Sequence, residues 1–143
     1  MERFLQLLVS WAWHEPKIQS VVLVGSYARG AQRPFSDLDL ILLTPDRAYF
    51  LAQQAFLHQF GPVQSIQQEA SGACTSLRVW YSSGLEVEFG FVTPAWTAYP
   101  LDQGTEQVLL DGYSVLLDIG SLLKSLSFYR FLIFFALCTH SAV

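Results

Sequence analysis

Apolar residues return at helical spacing at Leu5, Leu8, Val9 and Ala12, which predicts an opening amphipathic helix ending near His14 and Pro16. The period then changes. Ile18 to Val24 is a short, β-branched apolar run stopped by Gly25, the pattern of a strand covered on both faces. Gly25-Ser26-Tyr27-Ala28-Arg29-Gly30 reads as a turn opening a short helix, and Arg33-Pro34-Phe35-Ser36 leads into a second strand, Asp37 to Leu43. Thr44-Pro45-Asp46 predicts a helix start, with Thr44 as cap, Pro45 in the first helical position and Asp46 at the positive end of the dipole; the helix runs to about Phe60, before Gly61-Pro62. Three strand-like segments follow, Gln64 to Glu69, Ser76 to Tyr81 and Leu85 to Val92, the last two joined as a hairpin through Ser82-Ser83-Gly84. Beyond Pro94 the pattern predicts a helix over Thr105 to Leu110, a short strand over Ser114 to Leu117 and a final helix from Gly120 to Cys138.

At 143 residues the chain has the length of one domain, with a motif-bearing core over 18–92 and a helical extension over 94–143. Apolar residues make up 52% and charged residues 14%, which points to a compact fold with a partner surface rather than a disordered chain. The net charge of -4, with only eight Lys and Arg, argues against long nucleic acid as a ligand, because neutralising phosphates requires a basic face. Residues 1–13 lack the basic start and small-residue cleavage site of a secretion signal. The apolar run Phe131 to Leu137 is seven residues long, against roughly 20 for a membrane span, so a buried or interface-forming helix is expected there. Cys74 and Cys138 have no metal-type spacing and fit free thiols in a reducing cytoplasm.

Two residues apart in a strand, the carboxylates of Asp37 and Asp39 project to the same face from Cα atoms about 6 to 7 Å apart. Like charges that close call for a cation. A merely solvated acidic face would stay polar at alternate positions, whereas this one continues with Ile41 and Leu43. Mg²⁺ suits such a site, since it takes one or two carboxylates together with water and phosphate oxygens. Gly25-Ser26 follows a buried strand and precedes a short helix, where free backbone N–H groups attract phosphate; it is neither a Walker loop nor a dinucleotide turn. Leu85-Glu86-Val87-Glu88-Phe89 places two further acids on one strand face. His14, His58 and His140 are isolated, and Trp80 and Trp96 are candidates for a ligand-facing wall.

The stretch GSYARGAQRPFSDLDLILL, Gly25 to Leu43, resembles the hallmark of the nucleotidyltransferase superfamily typified by DNA polymerase beta: Gly-Ser, a spacer of ten residues, then Asp-x-Asp on the next strand. With Ala-Arg-Gly after Gly-Ser and Ser before the first Asp, it is similar to the minimal nucleotidyltransferases and to the antibiotic adenylyltransferases that modify aminoglycosides or lincosamides. The resemblance spans about Val21 to Val92.

It implies an α/β (α+β) fold with a mixed β-sheet of about five strands flanked by helices. It further implies a third metal carboxylate on a later strand, Glu88 in preference to Glu86, so that Asp37, Asp39 and Glu88 would hold two Mg²⁺ ions. Gly25 and Ser26 would meet the phosphates, Arg29 or Arg33 would neutralise them, and Ser36 orders the turn. The implied reaction moves a nucleoside monophosphate, AMP from ATP, to a hydroxyl of a small molecule or a protein. A second reading is an antitoxin-type binding module with weak or no catalysis, paired with a helical partner through the apolar tail Phe128 to Leu137; in the enzyme reading, a second subunit, another copy or a helical partner, docked on that tail would complete the acceptor pocket.

Overall fold

The computed structural model describes residues 1–98, 100–124 and 126. Within them a single sheet of six strands runs in the order β3-β4-β5-β2-β1-β6, matching the six strand-like segments of the sequence and one more than the resemblance implies. The strands are β1 Ser20–Val24, β2 Leu38–Leu43, β3 Val63–Ser71, β4 Cys74–Tyr81, β5 Glu86–Val92 and β6 Ser114–Asp118; the helices are α1 Glu2–His14, α2 Gly25–Arg29, α3 Arg47–Ala52 and α4 Gln103–Asp111. The sheet is mixed: β2 and β5 pair in parallel at its centre, and every other neighbour is antiparallel. β3, β4 and β5 form a meander that reaches β2 only after a long excursion, as a parallel pair requires.

Alternation along the strands sorts the interior into two layers. Val21, Leu23, Leu38, Leu40, Leu42, Leu77, Val79, Val87, Phe89 and Phe91 face one cluster, while Val22, Val24, Ile41, Leu43 and Val92 face the other. The first layer is covered by α1 and by the 3-10 helix Gln54–Phe60. In α1 the buried stripe is Phe4, Leu8 and Ala12, one turn apart, with Leu5 and Trp11 packed beside it. Aromatic rings fill this layer: Trp11 stacks on Phe56 at 4.8 Å, and Phe50 on Phe91 at 5.5 Å with an interplanar angle of 4°. The second layer is thinner, covered by Trp96, by Leu109 of α4 and by Leu123 and Leu126.

Local chemistry corrects the sequence reading at the third helix. Asp46, not Thr44, is the cap, accepting from Tyr49 N–H at 3.2 Å and from Lys17 at 3.0 Å; Thr44 is fully buried and its Oγ1 accepts from Asp46 N–H. Pro45 therefore stands one residue before the cap rather than inside the helix. The helix stops at Ala52, and the remainder to Phe60 winds as a 3-10 helix, a tighter coil that turns Phe56, Leu57 and Phe60 toward the sheet. The second strand begins at Leu38, so Asp37 belongs to the segment leading into it. The expected final helix lies mostly outside the described residues, as do Cys138, His140 and the whole apolar tail 128–137; residues 120–123 form turns. Among the described residues no helix is long and apolar enough to cross a membrane.

Candidate functional site

The site forms where the centre of the sheet ends. Parallel pairing sets Asp39 of β2 directly beside Glu88 of β5, and antiparallel pairing sets Glu88 beside Arg78 of β4. Asp37 enters from the turn ahead of β2. That turn is held by Ser36, whose Oγ accepts from Arg33 N–H at 2.8 Å and whose N–H donates to Arg33 C=O at 3.0 Å. The carboxylate oxygens of Asp37, Asp39 and Glu88 lie within 4.8 Å of one another.

Gly25 is there because nothing larger fits. Its φ of +72° lies in the left-handed region, and a Cβ at this position would collide with Asp39 Oδ2. The Gly of Gly-Ser and the second Asp of Asp-x-Asp are therefore one steric unit, although fourteen positions separate them in number. Ser26 is the second residue of α2, a helix of five residues closed by Gly30 in the left-handed conformation. Two cavities open on the acids. One, of about 430 Å³, is lined by Gly25, Arg29, Asp39, Glu88 and Trp96; the other, of about 580 Å³, by Tyr27, Phe35, Ser36 and Glu86 with Phe4 and Leu7 of α1. Ser26 and Arg33 line neither cavity. Trp96 is buried, Trp80 half-buried, Trp11 belongs to the aromatic core, and Trp13 is exposed. Cys74 packs against Gly90 beside the 430 Å³ cavity, and burial, followed by the charge of Glu88, pushes its thiol up to about 11, which keeps it protonated and unreactive.

The electrostatics are those of crowded anions. Burial first, then the negative charges of Asp37 and Glu88 and a hydrogen bond to Glu88, push the Asp39 carboxyl up to about 7, with Arg78 pulling the other way. A group of oxygens this close that must hold a proton to coexist is chemically matched to a hard divalent cation, which neutralises the same repulsion; the donor set fits Mg²⁺.

Arg78, unnoticed in the sequence, is the centre of the cluster. Its Nη1 donates to Asp37 Oδ2 and Glu86 Oε1, both at 2.9 Å, its Nη2 to Glu88 Oε2 at 3.0 Å, and its Nε to Glu69 Oε1 at 3.0 Å. Glu88 also accepts from Ser76 Oγ at 2.9 Å. Hydrogen bonds to Glu69 foremost, then to Asp37 and Glu86, hold the guanidinium far above its ordinary value. A signal was present: counting back from the Ser82-Ser83-Gly84 turn along both arms of the hairpin pairs Arg78 with Glu88, and Arg78 is flanked by inward Leu77 and Val79. Glu86 is thus tied to Arg78 at the start of β5, outside the group of three carboxylates whose oxygens lie together.

The sequence model of the family described as streptomycin adenylyltransferase matches residues 1–127. Among solved structures the chain is similar to an aminoglycoside 6-adenyltransferase from Bacillus subtilis, at 17% identity and a TM-score of 0.52 over 65% of this chain and 35% of that one. It is also similar to a toxin–antitoxin structure with AMP-PNP, at 18% identity and a TM-score of 0.42 over 99% of this chain and 95% of that one, and to a cytoplasmic RNA terminal U-transferase, at 17% and 0.43 over 61% and 25%. No curated protein matches. The chain thus spans 35% of the length of the Bacillus enzyme, and at that identity the likeness speaks to the fold. With a family match over nearly its whole length and this fold beneath the acid cluster, the chain belongs to the streptomycin adenylyltransferase family, within the nucleotidyltransferase superfamily.

Proposed function

We propose that the chain transfers a nucleoside monophosphate, AMP from ATP, to a hydroxyl of a small-molecule or protein acceptor. The observation that carries this reading is the convergence of Asp37, Asp39 and Glu88 at the junction of β2 and β5, with their oxygens within 4.8 Å. These three would hold Mg²⁺, which supplies charge neutralisation on the triphosphate and makes an acceptor hydroxyl more acidic. Gly25 lets Asp39 pack against the backbone at the edge of the cavity, Ser26 offers a hydroxyl and a backbone N–H near the start of α2, and Arg29 brings positive charge into the cavity shared with Asp39 and Glu88. The acceptor oxygen forms its new bond to the α-phosphorus as the bond to the β-phosphate oxygen breaks and pyrophosphate leaves. The hydroxyl proton would pass to a carboxylate of the cluster. Rate enhancement comes from positioning and charge neutralisation, with no protein nucleophile.

Streptomycin, which names the family, and other aminoglycosides are the first acceptors to offer; the helical-partner reading rests on residues 128–137, outside the described residues. Incubation with α-labelled ATP and Mg²⁺ should move label to acceptor, and Asp39→Asn should abolish the transfer, by a factor of about 10³ or more, while the variant remains folded by circular dichroism. Full transfer by Asp39→Asn removes the metal role and the reading with it.

A further inference from the structure

Among the described residues, Arg78 is the one cation ion-paired to Asp37, Glu69, Glu86 and Glu88. Its side chain is 20% exposed, and its five donor contacts reach Glu69 on β3, Asp37 ahead of β2, and Glu86 and Glu88 on β5. Two of these partners, Asp37 and Glu88, belong to the group of three carboxylates, and Arg78 occupies one oxygen of each, Oδ2 and Oε2. The other two, Glu69 and Glu86, lie outside it and would keep the guanidinium paired if the first two let go. A fork-shaped guanidinium with several N–H donors can exchange partners on one side while remaining anchored on the other.

We propose that Arg78 is the resident counter-ion of this cluster and a positioning residue for nucleotidyl transfer: it holds Asp37 and Glu88 in place before any divalent ion arrives and must surrender them for one to bind. The inference rests on the reading of Asp37, Asp39 and Glu88 as a divalent site. Its consequence is a sequence of binding. While Arg78 neutralises part of the cluster, a free ion gains less by entering, because it displaces an existing charge pair and meets a smaller net negative charge. An ion that arrives already coordinated by a triphosphate brings further oxygen ligands, and those phosphates find Arg29 beside them. Arg78 thereby makes metal occupancy conditional on nucleotide, and it sets the two strand-end acids in the positions that the incoming ion needs.

The test is Mn²⁺ binding to the full chain without nucleotide, followed by electron paramagnetic resonance or calorimetry, in wild type, Arg78→Gln and Arg78→Lys, each with and without ATP. Arg78→Gln should bind Mn²⁺ alone at least about tenfold more tightly than wild type, and ATP should improve its Mn²⁺ binding by a smaller factor than it does for wild type. Arg78→Lys, which keeps the charge but not the fork, should fall between them, and it carries the test if Arg78→Gln does not fold. A purely structural role predicts lower melting temperatures with Mn²⁺ affinity unchanged or weakened, and that result overturns the inference. Asp39→Asn separates the two levels: if it leaves Mn²⁺ binding untouched in wild type, or if neither wild type nor the Arg78 variants bind Mn²⁺ even with ATP, the reading of the site fails and the inference falls with it.

Discussion

Asp39 is the residue at which burial, neighbouring charge and steric fit meet. Its carboxyl is pushed up to about 7, first by burial and then by Asp37 and Glu88. Well below the ordinary carboxylate range, folded and unfolded chains both hold this proton and folding is unaffected. Between that range and about 7 the unfolded chain has released a proton that the folded chain retains, so this group's contribution to stability falls as pH rises, and the loss is complete above 7. In the absence of divalent ions, the melting temperature should therefore carry a downward component from about pH 5 to about pH 8, which Asp39→Asn should remove; thermal unfolding of both proteins across that range checks it, and parallel profiles would contradict it. A cation binding at Asp39 below pH 7 must expel the proton. The acids were legible in the sequence because a strand's two-residue period places Glu86 with Glu88, and the same spacing carried one residue ahead of β2 brings Asp37 to Asp39. Arg78 and Glu69 went unread: a lone arginine in a strand gives no motif, the hairpin register reveals only its pairing with Glu88, and its other partners lie on other segments.

Among the elements, the passage from β1 into α2 is the one on whose shape the proposed chemistry most depends. Gly25 and Gly30 both have left-handed φ, +72° and +68°, but only at Gly25 would a side chain strike another residue, Asp39. Gly30→Ala meets open space and should cost about 1 to 2 kcal/mol, the conformational penalty alone, with transfer retained. Gly25→Ala carries that penalty plus displacement of Asp39, so it should be measurably less stable in urea titration and should lose transfer; equal losses in the two variants would show that the close approach is unimportant. Element existence and type were readable from periodicity for α1, β1, β2 and the β4–β5 hairpin. The third helix was misjudged because Thr44-Pro45-Asp46 offers two capping side chains, and a local pattern cannot tell that Thr44 is buried under the sheet while Asp46 faces Lys17. Nor does periodicity separate an α-helix from a 3-10 helix over Gln54–Phe60, where packing of Phe56, Leu57 and Phe60 decides the outcome.

The whole molecule is two half-sheets, β3-β4-β5 and β2-β1-β6, joined along the parallel seam of β2 with β5. The acids stand on opposite sides of that seam, Asp37 and Asp39 on one and Glu86 and Glu88 on the other, so neither half contains the site. Each half can be assembled from contacts between strands that are neighbours or near neighbours in sequence, except for β6, whereas the seam must wait for the chain from Thr44 to Leu85 to complete its excursion. Pairings that close such long loops come late, since their entropy is lost before their contacts form. A divalent ion added to the refolding chain should accordingly leave the folding rate unchanged and slow unfolding, because its ligands come together only after the rate-limiting step. Stopped-flow kinetics with and without Mg²⁺ would read this directly, and faster refolding would refute it. On the proposed reading, a nascent or damaged chain with an unjoined seam would hold neither metal nor nucleotide, and transfer would itself certify that folding has finished.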